Sequence, residues 1–272
     1  MEFEDTFYGR PNTLITYKSL FRKHIKMEDV HPEFDKWNDD MTRLMLSSWD
    51  KKGLARNTKI TLMRLLGRYV TFKGGPKIDT QKYIRSLQRS EQQTEVTALN
   101  ATQAARLMAE ARRLEPRFYP VLLLALHGGL RRGEIFGLRC SDVDMLKGRV
   151  KVAHSYDGPT KSGRTRFVPL SPELSKALTS ARNLLLRDPE SKVFEQFDPN
   201  PVLRRLCGHA GLENIRFHDL RHTFASLALD SGISPKQVQE WLGHASVVTT
   251  LSIYWNLTKE EANLDFLPGV AQ

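Results

Sequence analysis

Cysteines, long apolar runs and phosphate-gripping glycine loops are scarce or missing in this chain of 272 residues. The two cysteines, Cys140 and Cys207, have neither metal-ligand spacing nor the pattern of a disulfide framework, and are expected to be reduced packing residues. The longest apolar run, Val121-Leu122-Leu123-Leu124-Ala125-Leu126, is far shorter than a membrane span and reads as a buried helix segment. The acidic start Met1-Glu2-Phe3-Glu4-Asp5 lacks the basic and apolar regions of a signal peptide. A cytoplasmic protein with no membrane partner is expected. There is no glycine-rich loop of the nucleotide-hydrolase type, no zinc spacing and no carboxylate cluster for magnesium, so neither ATP, a metal nor any other cofactor is expected.

What is present is positive charge, unevenly spread. The net charge is +10, but residues 1–50 hold 7 basic and 10 acidic side chains, residues 51–94 hold 11 and 2, and residues 95–272 hold 23 and 19. A basic cluster of this kind suits a polyanion, although a solvated basic face without a partner would read the same way. Apolar spacing predicts four helices over residues 11–90. Leu14, Tyr17, Phe21 and Ile25 mark the first, and Trp37, Met41, Leu44 and Met45 the second. Asn57 is expected to cap the third, with Ile60, Met63, Leu66 and Val70 inward; Tyr83, Ile84 and Leu87 mark the fourth. Lys59, Arg64, Arg68, Lys82, Arg85 and Arg89 fall off these stripes and are candidate DNA phosphate contacts. The polar stretch 91–96 fits an interdomain linker, giving a domain over 1–90 and a second over 97–272.

In the second domain Asn100 is expected to cap a helix, and a helix at about 117–127 is apolar nearly all round, hence central. It runs into Gly128-Gly129-Leu130-Arg131-Arg132-Gly133-Glu134, where glycines let the backbone turn and bring Arg131 close to a ligand. Alternation over 149–154 and again over 165–170, with turn residues between, predicts a β-hairpin or small three-stranded sheet with Lys161 toward its tip. The chain is thus expected to be mainly α with one small sheet, in two domains.

Chemistry concentrates in residues 218–254. His218 and Arg221 stand three residues apart and share a helix face, a cation beside an imidazole that suits a phosphate. Phe224, Leu227 and Ala228 are the expected buried stripe of that helix. Gly243 ends the following helix and delivers His244 into a turn, and Tyr254 comes ten residues later. Each side chain has an ordinary reading in isolation: Tyr254 as a core aromatic, Arg131 or Arg221 as a salt-bridge partner, Lys161 as a solvated cation, His244 as a turn histidine. Arg132 competes with Arg131, while His222 and His154 read as structural. As a set, two guanidiniums can clamp the non-bridging oxygens of a phosphate, where charge builds in the transition state. A phenol can store the broken phosphodiester as a covalent ester, His218 can accept its proton, and Lys161 can protonate the departing oxygen.

The stretches Gly-Gly-Leu-Arg-Arg-Gly-Glu, His-Asp-Leu-Arg-His and Leu-Gly-His, with a tyrosine ten residues on, resemble the tyrosine recombinase (phage integrase) family. The resemblance covers about residues 97–265 well and residues 11–90 only in general character, as a helical core-binding domain of SAM-like type. It implies catalytic roles for Arg131, Lys161, His218, Arg221 and His244, Tyr254 as nucleophile, and Glu134 as a supporting acid. Many relatives carry a histidine two positions beyond the tyrosine, where this chain has Asn256. The implied activity is site-specific DNA recombination through a 3′-phosphotyrosyl intermediate and a Holliday junction. The implied partners are duplex core sites, a synaptic homotetramer that is monomer or dimer off DNA, and optional accessory DNA-bending factors, in a bacterial or archaeal cell. A type IB topoisomerase and a non-catalytic DNA-binding regulator on the same scaffold are the alternatives. About ten residues precede the first helix, an expectation of no additional arm-binding domain. The tail, through Leu264, Phe266 and Leu267, is expected to dock on a neighbouring protomer.

Overall fold

The computed structural model describes residues 2–9, 11–25, 33–89, 97–156, 158–160, 163–180, 188–213, 215–244 and 246–248. The chain divides into two compact units, Met1–Gln93 and Thr94–Gln272. The expected linker 91–96 and the tail after 248 lie outside the described residues.

The first unit is helical: α1 (Pro11–His24), α2 (Asp39–Lys51), α3 (Arg56–Phe72) and α4 (Thr80–Arg89). Its core gathers Phe21, Ile25, Trp49, Met63, Leu66 and Ile84. Two details differ from the sequence reading. Leu44 is 70% exposed, because Trp49 and Thr42 face inward from α2 and turn Leu44 to solvent. The third helix begins at Arg56, one residue before the expected cap Asn57, with Ala55 at its N-cap. Asn38 caps α2 by accepting from the Met41 amide at 3.0 Å.

The second unit is built around α6 (Tyr119–Leu126), every residue of which is buried, as an unbroken apolar run requires. Around it lie α5 (Ala101–Leu114), α7 (Arg132–Gly137), α8 (Pro172–Ser180), α9 (Asn200–His209), α10 (Asp219–Asp230) and α11 (Pro235–Leu242). Asn100 caps α5 as expected, with Gln103 reaching back to the Asn100 amide. Strands β1 (Val143–Asp144), β2 (Arg149–Val152) and β5 (Arg166–Pro169) form an antiparallel sheet in the order β1-β2-β5; β3 (His154–Ser155) and β4 (Gly158–Pro159) pair separately. Val150 opposes Val168, so both strands bury the same phase of their alternation. The buried side of α10 differs from the expected stripe. It is Leu220, Arg221, Thr223 and Ala225 that are buried, while Phe224, Leu227 and Ala228 are half-buried. Thr223 explains part of this: its hydroxyl accepts from the Leu99 amide and donates to the Asp219 carbonyl, both at 2.9 Å.

Candidate active site

The site starts where α6 ends. Gly129 has φ +62°, and a Cβ there would stand 2.5 Å from the Phe224 ring and 2.8 Å from Leu242, so glycine is demanded twice over. This turn sets Arg131 at the N-cap of α7. Glu134, in the first turn of α7, accepts from the Arg131 amide at 2.8 Å and from Arg131 Nη1 at 2.9 Å. Its neighbour Arg132 instead sits 3.6 Å from Asp198 with about half its side chain in solvent.

Glu134 is 3% exposed and carries a second cation. Arg166 of β5 donates Nη1 to Oε1 at 2.9 Å and Nη2 to Oε2 at 2.7 Å, a bidentate pair. Burial, the largest single influence, would raise this carboxyl, but the bonds and charge of Arg166, the Arg131 amide and the charge of Arg221 together outweigh it and hold Glu134 down at about 2. Arg166 was absent from the sequence reading. The signal was available: it occupies the same inward phase of β5 as Val168, where a charged residue must have a partner.

Arg221 is 2% exposed and donates Nη1 to the Gly129 carbonyl at 2.5 Å and Nη2 to the Leu242 carbonyl at 2.6 Å. Burial, then the charge of Arg131, pushes its pKa down, with Glu134 opposing. Three guanidiniums, Arg131, Arg166 and Arg221, therefore act on one carboxylate. This leaves a positive excess that an anion can neutralise.

Two histidines border this excess. His218 precedes α10, with its ring edge-to-face against His222 at 4.9 Å. His244 follows Gly243, whose left-handed φ of +65° ends α11. The His244 amide donates to the Gln239 carbonyl at 3.2 Å, and Gln239 donates back to the His244 carbonyl at 3.1 Å. Packing around the His218 ring lowers it toward about 4, reinforced by His222, Arg221 and Arg131, although the residue as a whole is exposed and solvent screens part of this. Burial, then Arg221 and Arg131, lowers the half-buried His244 to about 4. Arg221 stands one turn after His218, and its bonds to the Gly129 and Leu242 carbonyls reach within two residues of Arg131 and of His244, so the four groups lie close together. Each imidazole is neutral near pH 7 and able to accept a proton.

The described residues bring together Arg131, Glu134, His218, Arg221 and His244. Lys161 and Tyr254 lie outside them. A separate cleft of about 920 Å³, lined by Arg112, Tyr119, Glu173, Lys176 and Phe194 among others, contains none of the site residues. In the first unit Arg64 and Arg85 are exposed. Lys59 pairs with Asp50 at 2.6 Å and Lys82 with Asp39 at 2.8 Å. Arg68 donates to the Thr6 carbonyl at 3.2 Å and lies over the rings of Phe3, Phe7 and Tyr8. The side chain of Arg89 is outside the described residues.

The profile of the phage integrase family matches residues 97–261. Tyrosine recombinase XerC of Thermodesulfovibrio yellowstonii is 28% identical over 260 residues, covering 88% of this chain and 84% of that protein. Tyrosine recombinase XerA of Saccharolobus solfataricus is 29% identical over 179 residues, covering 65% of this chain and 58% of that protein. Among solved structures, the Tn1549 transposon integrase in complex with transposon right end DNA superposes with a TM-score of 0.76 at 18% identity, over 96% of this chain and 93% of that one. A lambda integrase tetramer bound to a Holliday junction gives 0.69 at 17% identity, over 97% and 77%. These two likenesses show a shared mainly helical fold. The chain belongs to the phage integrase family, and is a tyrosine-type site-specific DNA recombinase.

Proposed function

We propose that this chain cleaves and rejoins duplex DNA at core recombination sites, with Tyr254 as nucleophile. The observation that carries the reading is the convergence of Arg131, Arg221, His218 and His244 around a net positive excess with one buried carboxylate at its base. Arg131 and Arg221 hold the non-bridging oxygens of the scissile phosphate, and His244 bonds one of them. The phenolic oxygen of Tyr254 forms a bond to phosphorus as the bond to the 5′-oxygen breaks. Neutral His218 takes the phenolic proton, and Lys161 supplies a proton to the departing 5′-oxygen. The 3′-phosphotyrosyl ester keeps the bond energy, and the 5′-hydroxyl of a partner strand attacks it, restoring the tyrosine. Neither nucleotide nor metal enters this sequence.

The first unit, with its basic excess, is the core-binding DNA grip, and the second, from about residue 97, is the catalytic domain. Two sites and four protomers form the synaptic complex, with strand exchange through a Holliday junction, and DNA-bending factors assist where the site requires them. The protein works in the cytoplasm of a bacterial or archaeal cell, on nucleoid DNA. The test is incubation with nicked suicide duplexes built on the repeats flanking the chain's own gene, followed by denaturing electrophoresis. A covalent adduct that the Tyr254→Phe variant cannot form is expected. Tight binding without an adduct would leave only a DNA-binding protein.

A further inference from the structure

Arg166 has no part in the chemistry above, yet it touches both halves of the site. All three of its guanidinium nitrogens are engaged: Nη1 and Nη2 on Glu134, and Nε on the Trp241 carbonyl at 2.6 Å. A rigid, planar donor fork holds a carboxylate bidentately and a carbonyl on a second helix in one fixed geometry, which the rotatable donors of an ammonium do not impose. Its Glu134 partner also holds the amide and side chain of Arg131. Arg166 shares both oxygens of Glu134 with Arg131, and among the described residues the Arg131 guanidinium reaches the carboxylate through Nη1, so its remaining donors can face a ligand.

The other partner lies on the approach to His244. Trp241 and Leu242 are the last two residues of α11, and their carbonyls are among those a helix end leaves without an internal partner. Arg166 takes the first and Arg221 the second, each at 2.6 Å. Gly243 follows, and a Cβ on it would stand 3.0 Å from Arg166 Cδ, so the arginine lies directly against the turn into His244. A buried ion pair is poor ballast for a fold, since well-packed apolar residues often serve as well. Its place here, between the supports of two phosphate-facing groups, is the better explanation of its presence.

We infer that Arg166 is a positioning residue that sets Arg131 and His244 in register on the scissile phosphate, an inference that rests on the proposed strand cleavage. It joins β5 to the start of α7 and to the end of α11, so loss of it displaces two phosphate contacts together. Freed from Arg166, Glu134 captures the Arg131 guanidinium, and the turn at 243 loses one of its two anchors.

The experiment compares full-length wild type with Arg166→Gln, Arg166→Lys, Arg131→Gln and Tyr254→Phe in single-turnover strand cleavage. Two suicide duplexes on the gene-flanking repeats are used, one with an ordinary scissile phosphate and one with a methylphosphonate. Replacing a non-bridging oxygen by methyl removes the negative charge that the arginines meet. With the ordinary phosphate, Arg166→Gln is expected to cleave about a hundredfold more slowly than wild type, the scale of an ångström-sized misplacement, and Arg166→Lys to fall between. On the methylphosphonate the Arg166→Gln defect should shrink to within about fivefold, in parallel with Arg131→Gln, because the displaced clamp no longer faces a full charge. Melting and DNA binding are followed alongside. An undiminished rate, an equal defect on both duplexes, or a chain that folds in neither Arg166 variant would overturn the inference. Wild type that forms no more adduct than Tyr254→Phe would instead overturn the proposed cleavage itself.

Discussion

Arg221 donates to the carbonyl of Leu242 at 2.6 Å, tying α10 to the end of the helix that leads into His244. A side chain 2% exposed thus serves the backbone at two points, here and at Gly129, and among the described residues no carboxylate forms a direct ion pair with it. That combination marks a cation kept for a ligand. An Arg221→Lys variant keeps the charge but cannot span both carbonyls. It should lose about 1–3 kcal/mol of stability for the orphaned acceptors, read by denaturant unfolding. Strand cleavage should fall by about 10²–10³, with duplex affinity changed only a few-fold. A variant that cleaves normally would remove Arg221 from the chemistry.

The depressed histidines make DNA binding proton-linked. Burial first, and the neighbouring arginine charges after it, push His218 and His244 down to about 4 in the free protein, and an arriving phosphate counters the arginine part. A phosphate anion beside them favours the protonated imidazoles, so the complex is expected to hold more protons than the free protein at acid pH, with affinity increasing as pH falls toward about 4. Calorimetry in buffers of different ionisation enthalpy should show proton uptake on binding. His218 is exposed whereas His244 is half-buried, so solvent screens more of the His218 shift and His244→Asn should remove more of the uptake. The same groups act oppositely on the free fold. The unfolded chain binds more protons between about 4 and the ordinary histidine value of 6.5, so stability is full above that window and declines as pH falls through it. Proton release on binding, or a pH-independent affinity, would contradict the site geometry.

Basic residues of the first unit should separate into two groups. Arg64 and Arg85 are exposed, and each Ala substitution should reduce the slope of log affinity against log salt by about one without changing the melting temperature. Lys59, paired with Asp50, and Arg68, laid over three aromatic rings, hold the unit together. Their Ala variants should lower its stability by about 0.5–2 kcal/mol, with a smaller change of salt slope. Equal slopes across all four variants would remove the distinction.

Legibility in the sequence followed the physics of each element. The unbroken apolar run of α6 has only one plausible place, the core, and Asn100 with Gln103 announces the start of α5. The sheet could be read from its alternation and flanking turns. Leu44 was misplaced because an amphipathic stripe read by spacing cannot tell which of two adjacent apolar faces the bundle covers. The expected stripe of α10 failed for a related reason: Arg221 and Thr223 are buried by hydrogen bonds, which hydrophobic periodicity does not register. Arg131, Glu134, His218, Arg221 and His244 were named by motif, and the structure gathers them. Arg166 belongs to no motif considered, and its meaning depends on Glu134 and Trp241, 32 and 75 residues away.

The atom that carries the broken strand identifies the nucleophile. Trapped adduct can be digested with nuclease and protease, and the nucleotide-bearing peptide sequenced by mass spectrometry. A nucleotide joined through a 3′-phosphate to Tyr254 is the predicted result; a nucleotide on any other residue, or cleavage that leaves the protein unmodified, would contradict it.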